Sequence, residues 1–265
     1  MKKIFSSFLL VILFTLLSSH EFWLQPEKFV YDQGECINIR FNVGENFEGE
    51  NWNGDKDKVQ SLDFYFDNWQ DTLSPAMLSE KGDSLQLSLM DEGTAMVTFN
   101  SKNSFIELDS TKFHDYLAED GLTNAIEYRK EHNESDSMGR EFYQRSVKTI
   151  LQVGKKYSNT FSQRTKLPLD IIPQSNPYKQ KEGDTIAVKI YFKKEVLKNT
   201  LVKVWHRAGD KTTKLDLLSD ENGEISFEME TTGEWMVSCV KMERLENDDT
   251  AQWQSYWGSC TWGYE

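Results

Sequence analysis

The stretch Ile37-Asn38-Ile39-Arg40-Phe41-Asn42-Val43 alternates apolar and polar residues at every step. A period of two sends successive side chains to opposite faces, so it reads as a half-buried β-strand. Leu62, Phe64 and Phe66 repeat the pattern, as do Leu85, Leu87 and Leu89, and Val97 with Phe99 suggests a further strand. A polar, Gly- and Asn-rich loop from Gly44 to Lys58 separates the first two. Residues 20 to about 108 are therefore expected to form an antiparallel β-sandwich.

Further along the chain the pattern changes. Ser110 is suited to cap a short helix over 111–119, stopped by Gly121, and Thr123 to cap a second over 124–132. Phe142, Val147, Ile150 and Leu151 fall at roughly helical spacing, which predicts a third helix from about Ser137 to Val153, ending at Gly154. The segment of about 110–154 is thus expected to be a helical insert within a first domain of residues 20–166.

Pro168, Pro173 and Pro177 mark an extended linker, since residues before proline avoid the helical region. Strand patterns then return. Ile186, Val188, Ile190 and Phe192 alternate cleanly, followed by Val202 and Val204, Leu215 to Leu218, a turn at Asp220-Glu221-Asn222-Gly223, Ile225 with Phe227, and Trp235 to Met242. Residues 167–265 have the size and strand count of an Ig-like sandwich. The expected fold is mainly β: an N-terminal β-sandwich with a helical insert, followed by a C-terminal Ig-like β-sandwich.

Ahead of these domains, Lys2 and Lys3 precede an apolar run from Phe8 to Leu17, then Ser18 and Ser19. That is the layout of a secretory signal peptide over residues 1–19, too short for a spanning helix. No Cys follows the run to take a lipid anchor, so the expectation is a periplasmic or secreted protein with no membrane insertion after cleavage. The formal charge of the whole chain is -13, and it becomes more negative once Lys2 and Lys3 leave. Such a balance excludes nucleic acid as a partner, because nothing neutralises a row of phosphates, and it disfavours an anionic membrane surface.

Export places Cys36, Cys239 and Cys260 in an oxidising compartment. If the runs holding Cys239 and Cys260 form a hairpin around Asp248 and Asp249, those two face each other and a bridge is expected. Two buried thiols are the other reading. Trp253, Trp257 and Trp262 with Tyr256 and Tyr264 make an aromatic-dense C-terminus, read either as a sugar-stacking platform or as core. The acidic group Asp115, Glu119 and Asp120 reads as a solvated face.

The chain has four His. Walker, HExxH, CxxC, GxSxG and dinucleotide motifs are absent from the sequence. Cleavage after Ser19 would make His20 the first residue, able to offer its α-amine and ring Nδ1 to one metal. Nitrogen-rich sites of this kind suit Cu(II) or Ni(II). The amine has a pKa of about 8, so binding at neutral pH displaces a proton at modest cost. His114, in Phe113-His114-Asp115-Tyr116, reads equally as a second ligand or a surface His. His132 reads as a solvated helix end, and His206 shares the parity of Val202 and Val204, so it points inward. Cys36 is a weak candidate for a soft ligand.

The opening His20-Glu21-Phe22-Trp23-Leu24-Gln25-Pro26 resembles the start of the DUF4198 family, whose members are often labelled NikM-like, periplasmic components of cobalt/nickel uptake. Further matching runs are Tyr116-Leu117 to Gly121-Leu122, Tyr143 to Gly154, Leu167 to Pro173 with Asn176-Pro177-Tyr178, Gly233-Glu234-Trp235 and Asp249 to Trp257. The resemblance implies an exported β-rich protein that binds nickel or cobalt, with copper an alternative, and that works beside a membrane metal transporter. Where several members carry a His, this chain has Lys241, which leaves His20, His114 and His206 as the metal set. Two rivals stand: a copper-dependent oxygenase acting on glycans, and a non-catalytic glycan- or protein-binding surface module.

Overall fold

A computed structural model describes residues 21–264. The expectations for the signal segment and for His20 lie outside the described residues. Nine strands come first: β1 (Glu21–Pro26), β2 (Val30–Tyr31), β3 (Cys36–Glu45), β4 (Glu48–Asn51), β5 (Val59–Phe66), β6 (Trp69–Thr72), β7 (Ser84–Ser88), β8 (Gly93–Ser101) and β9 (Ser104–Leu108). Helices α1 (Ser110–Glu119) and α2 (Thr123–Glu131) lead to β10 (Gly139–Val153). Then follow β11 (Leu169–Pro173), β12 (Thr185–Phe192), β13 (Glu195–Val196), β14 (Leu201–Ala208), β15 (Lys211–Leu218), β16 (Glu224–Glu228), β17 (Glu234–Arg244) and β18 (Trp253–Gly263).

The fold is mainly β, as the alternating patterns predict. In the N-terminal sandwich, a sheet of β1-β3-β4, with β7 on β3, faces the run β10-β8-β5-β6. Phe22, Leu24, Ile37, Ile39 and Phe41 meet Leu62, Phe64, Val97 and Phe99 between them. In the C-terminal sandwich, β12 lies between β11 and β16, and faces the run β15-β14-β17-β18. That strand order is the two-sheet arrangement of an Ig-like domain. Its core joins Ile171, Val188 and Ile225 to Val204, Val237 and Trp262.

A parallel pairing of β10 with β18, from Glu141↔Trp253 to Thr149↔Thr261, fuses the two runs into one ten-stranded sheet that bridges the expected division at residue 166. Strand β10 replaces the third expected helix. Its last eight residues, from Ser146 to Val153, are all buried, because both faces are covered. Val147 and Leu151 point into the N-terminal core while Ile150 points into the C-terminal one. A strand buried on both faces loses its alternation, and its apolar positions can then imitate a helical period.

Smaller corrections follow from local geometry. The polar loop contains β4, which forms a hairpin with β3. The proline-marked linker contains β11, a fully buried strand paired with β12. The side-chain cap of α1 is Asp109, accepting from the Lys112 backbone N–H at 3.0 Å, rather than Ser110. The helix α2 has no side-chain cap. Cys239 lies opposite Gly258, and Cys260 opposite Val237. The hairpin turn centres one residue earlier than expected, so the two Cys are one diagonal step out of register, and both are buried free thiols.

Candidate functional site

The strand β1 lies between two layers. Phe22 and Leu24 enter the N-terminal core. The alternate residues face β14 with matching spacing: Glu21 meets Lys203, Trp23 packs with Trp205 and Phe47, and Gln25 reaches Arg207 at 3.4 Å. On the same edge, the Ser259 and Thr261 hydroxyls of β18 donate to the backbone carbonyls of Phe22 and Leu24 at 2.7 and 2.8 Å. The first described strand is therefore held on both sides.

Helix α1 delivers a second carboxylate to the same place. Asp120 is its C-cap residue, and Gly121 follows at φ +65°. A side chain at 121 would bring a Cβ within 2.7 Å of Leu201 Cβ, so glycine allows the helix end to sit against β14. Lys203 Nζ then donates to Asp120 Oδ1 at 2.7 Å and stands 3.5 Å from Glu21 Oε1. Glu21, Asp120 and Lys203 are each no more than 7% exposed. A cavity of about 10 Å³, room for roughly one water, lies among them with Ser238, Cys239 and Trp257 on its wall.

Among the described residues, this cluster brings two carboxylates to one ammonium. Burial pushes the Glu21 carboxyl up to about 7, with Lys203 opposing the shift and Asp120 adding to it. Burial would depress Lys203, but Asp120 and Glu21 outweigh it and hold the ammonium above its ordinary value. Burial, with Asp120 adding to it, raises the Cys239 thiol to about 12, so that thiol is inert. Next to the cluster, Glu141 on β10 is also pushed up to about 7 by burial, against the hydrogen bonds it accepts. Its Oε1 accepts from Tyr116 at 3.1 Å and from Ser255, while Oε2 has no hydrogen-bond partner among the described residues.

Of the His expected to bind metal, the two that are described, His114 and His206, are not brought together. His20 lies outside the described residues. His114 is exposed on α1. His206 is buried on the face of β14 opposite Lys203, stacked on Trp235 at 4.3 Å between centroids. Its Nε2 is 2.8 Å from the Thr232 carbonyl, and Nδ1 is 3.7 Å from Glu230. His132 stacks on Tyr128 at the exposed end of α2. Cys36 is exposed. Among the described residues, no group of three or more His, Cys, Asp or Glu is placed to hold a metal ion. Of the C-terminal aromatics, Trp253 and Trp262 are core residues.

The residues that do converge escaped the sequence reading. Asp120 was expected on a solvated face with Asp115 and Glu119; those two are exposed, but Asp120 is buried. Its position just ahead of Gly121, at a helix end, is the signal that separates it from them. Lys203 between Val202 and Val204 was a further signal, a cation inside a strand pattern.

The family model described as "Domain of unknown function (DUF4198)" matches residues 17–243. No curated protein matches the chain. Similar solved structures include a marsupial T cell receptor, 12% identical, covering 90% of this chain and 73% of that one, with a TM-score of 0.21. The three N-terminal domains of the bacteriophage RB49 highly immunogenic outer capsid protein are 6% identical, covering 93% of this chain and 100% of that one, at 0.22. A four-Ig-domain fragment of Dscam1 is 8% identical over 90% of this chain, which spans 51% of that fragment, at 0.21. Overlaps at these scores carry no weight, and the Ig-like assignment rests on strand order.

Proposed function

The chain belongs to the family described as a domain of unknown function, DUF4198, and from that premise we propose that it is an exported binder of a divalent transition metal. The cargo is nickel or cobalt, with copper the alternative, and the role is metal uptake or buffering in the periplasm, as in NikM-like proteins, beside a membrane transporter. The observation that carries this reading is the anchoring of β1. Glu21 is buried and clamped between layers in a cluster with Asp120 and Lys203, and it is the residue that His20 precedes in the sequence.

The donor chemistry defines what such a site is. Glu21 and Asp120 are turned toward Lys203, and His206 is committed within the C-terminal core. The α-amine and ring nitrogen of His20 therefore form the anchor, with water or a partner completing the shell. Ni(II) and Cu(II) accept nitrogen pairs of this kind. An incomplete shell also suits a protein that hands its metal on. Calorimetric titration with Ni²⁺, Co²⁺ and Cu²⁺ tests the reading on signal-cleaved protein beside the same protein acetylated at its first residue. Binding heat that vanishes on acetylation supports it, and equal heats in both samples overturn it.

A further inference from the structure

We propose that two copies of this chain pair through β15 about a twofold axis at Leu215, joining their ten-stranded sheets edge to edge. This pairing is independent of metal binding. The strand β15 ends its sheet, and among the described residues it pairs with β14 alone, from Leu201↔Leu218 to Ala208↔Lys211. It runs for eight residues without Pro, Gly or a shift in register. Such an edge presents a row of backbone donors and acceptors to a strand that fits it. Leu215 and Leu218 on this edge are 49% and 69% exposed.

The ladder with β14 fixes which groups the edge offers. The Ser219 N–H donates to the Thr200 carbonyl at 3.0 Å, just beyond the Leu201↔Leu218 pair. Hydrogen-bonded pairs alternate along an antiparallel ladder, so Leu217, Leu215 and Thr213 also turn their backbone groups toward β14. The N–H and C=O of Thr212, Lys214, Asp216 and Leu218 therefore face outward, and a second β15 must meet them with the same four residues. Charge then selects the register. An axis at Lys214 sets two ammoniums against each other, and an axis at Asp216 sets two carboxylates together, both repulsive. An axis at Leu215 sets each Lys214 against the second copy's Asp216, twice over, with Thr212 opposite Leu218. Lys214 and Asp216 are 39% and 47% exposed and lie 3.1 Å apart within the strand, so the pairing closes a neutral group of four charges. The two Leu215 side chains meet at the axis as a non-hydrogen-bonded pair, the closer of the two spacings. Residues directly opposite share a face, so the axis is normal to the sheet and both copies carry β1 on the same side.

The opposite edge of the same sheet lacks this match. The strand β6 has four residues, Trp69-Gln70-Asp71-Thr72, and Asp71 is the one charge among them. A second β6 brings no cation to meet it. The sheet therefore has one self-complementary edge, and pairing closes at two copies instead of running on into a fibre.

Sedimentation of the purified protein over a concentration series up to about 1 mM tests the pairing. The mass is expected to rise from one chain to two, and a single chain throughout overturns the proposal. Asp216→Lys sets like charges opposite each other at two places and is expected to weaken the dimer by roughly 10-fold or more. Adding Lys214→Asp to that variant restores opposite charges across the axis and is expected to recover the dimer. A dimer indifferent to Asp216→Lys, or not recovered by the exchange, overturns the interface. Leu215→Cys, made with Cys36→Ser to remove the exposed thiol, is expected to give a disulfide-linked dimer on mild oxidation. Thr213→Cys in the same background is expected to stay unlinked, because Thr213 faces Leu217 of the second copy. Linkage at 213 in place of 215 overturns the register.

Discussion

Among the described residues two lysines are buried, and they sit in opposite kinds of surroundings. Lys148, on the strand shared by both sandwiches, meets a carboxylate that is also held by a backbone N–H and an arginine. Lys203, where β1 and α1 meet the Ig-like half, faces two carboxylates across a small cavity. The first is a closed ion pair, each charge matched and hydrogen-bonded. The second is acid-rich and carries perturbed groups, a pattern associated with chemistry more than with packing. A buried pair contributes little beyond what its desolvation costs, but breaking it exposes that cost in full.

The largest expected effect comes from breaking the closed pair. Asp170→Ala leaves the Lys148 ammonium fully buried without its partner and should destabilise the fold by roughly 3–5 kcal/mol, read from denaturant unfolding. Lys203→Met should cost less, roughly 2–3 kcal/mol, because two adjacent acids can retain a proton where a lone ammonium cannot discard one cheaply. A larger loss at Lys203 than at Asp170 would break the distinction between the two sites.

Glu141 extends the acid-rich region and gives it a pH signature. Its carboxyl is pushed from 4.5 up to about 7, so the folded chain binds a proton the unfolded chain has released. The corresponding stability is fully present below about pH 4.5 and is lost as pH rises through about 7, on the order of 3 kcal/mol. Tyr116 and Ser255 donate to this carboxyl, and Asp120 adds to its upward shift. Unfolding midpoints measured across that range should fall more steeply for the wild type than for Glu141→Gln. Identical slopes would remove Glu141 from the account. The smallest effect is expected at the hinge that delivers Asp120. Gly121→Ala places a Cβ against Leu201 at positive φ and should cost about 1–2 kcal/mol by the same unfolding assay.

Much of the architecture was legible because most strands bury one face only. Ile37 to Val43 and Ile186 to Phe192 show the alternation that a half-buried strand imposes. The reading failed at β10, where Val147 and Lys148 point to different buried surroundings and the period of two vanishes. The Cys pair missed its register because one residue of turn position moves the pairing by two, and turn centres are weakly specified by sequence. Of the candidate site, His206 facing inward was readable from parity with Val202 and Val204. The cluster of Glu21, Asp120 and Lys203 was not, since its members come from three elements far apart in sequence. Only the packing of α1 on β14 brings them together.

The proposed metal site depends on the held strand at the start of β1 and not on the buried His of the Ig-like half. Titrating Ni²⁺ into signal-cleaved His20→Ala and His206→Ala proteins separates the two directly. The account predicts that His20→Ala loses the binding heat while His206→Ala retains it. Retained heat in His20→Ala with loss in His206→Ala would contradict it.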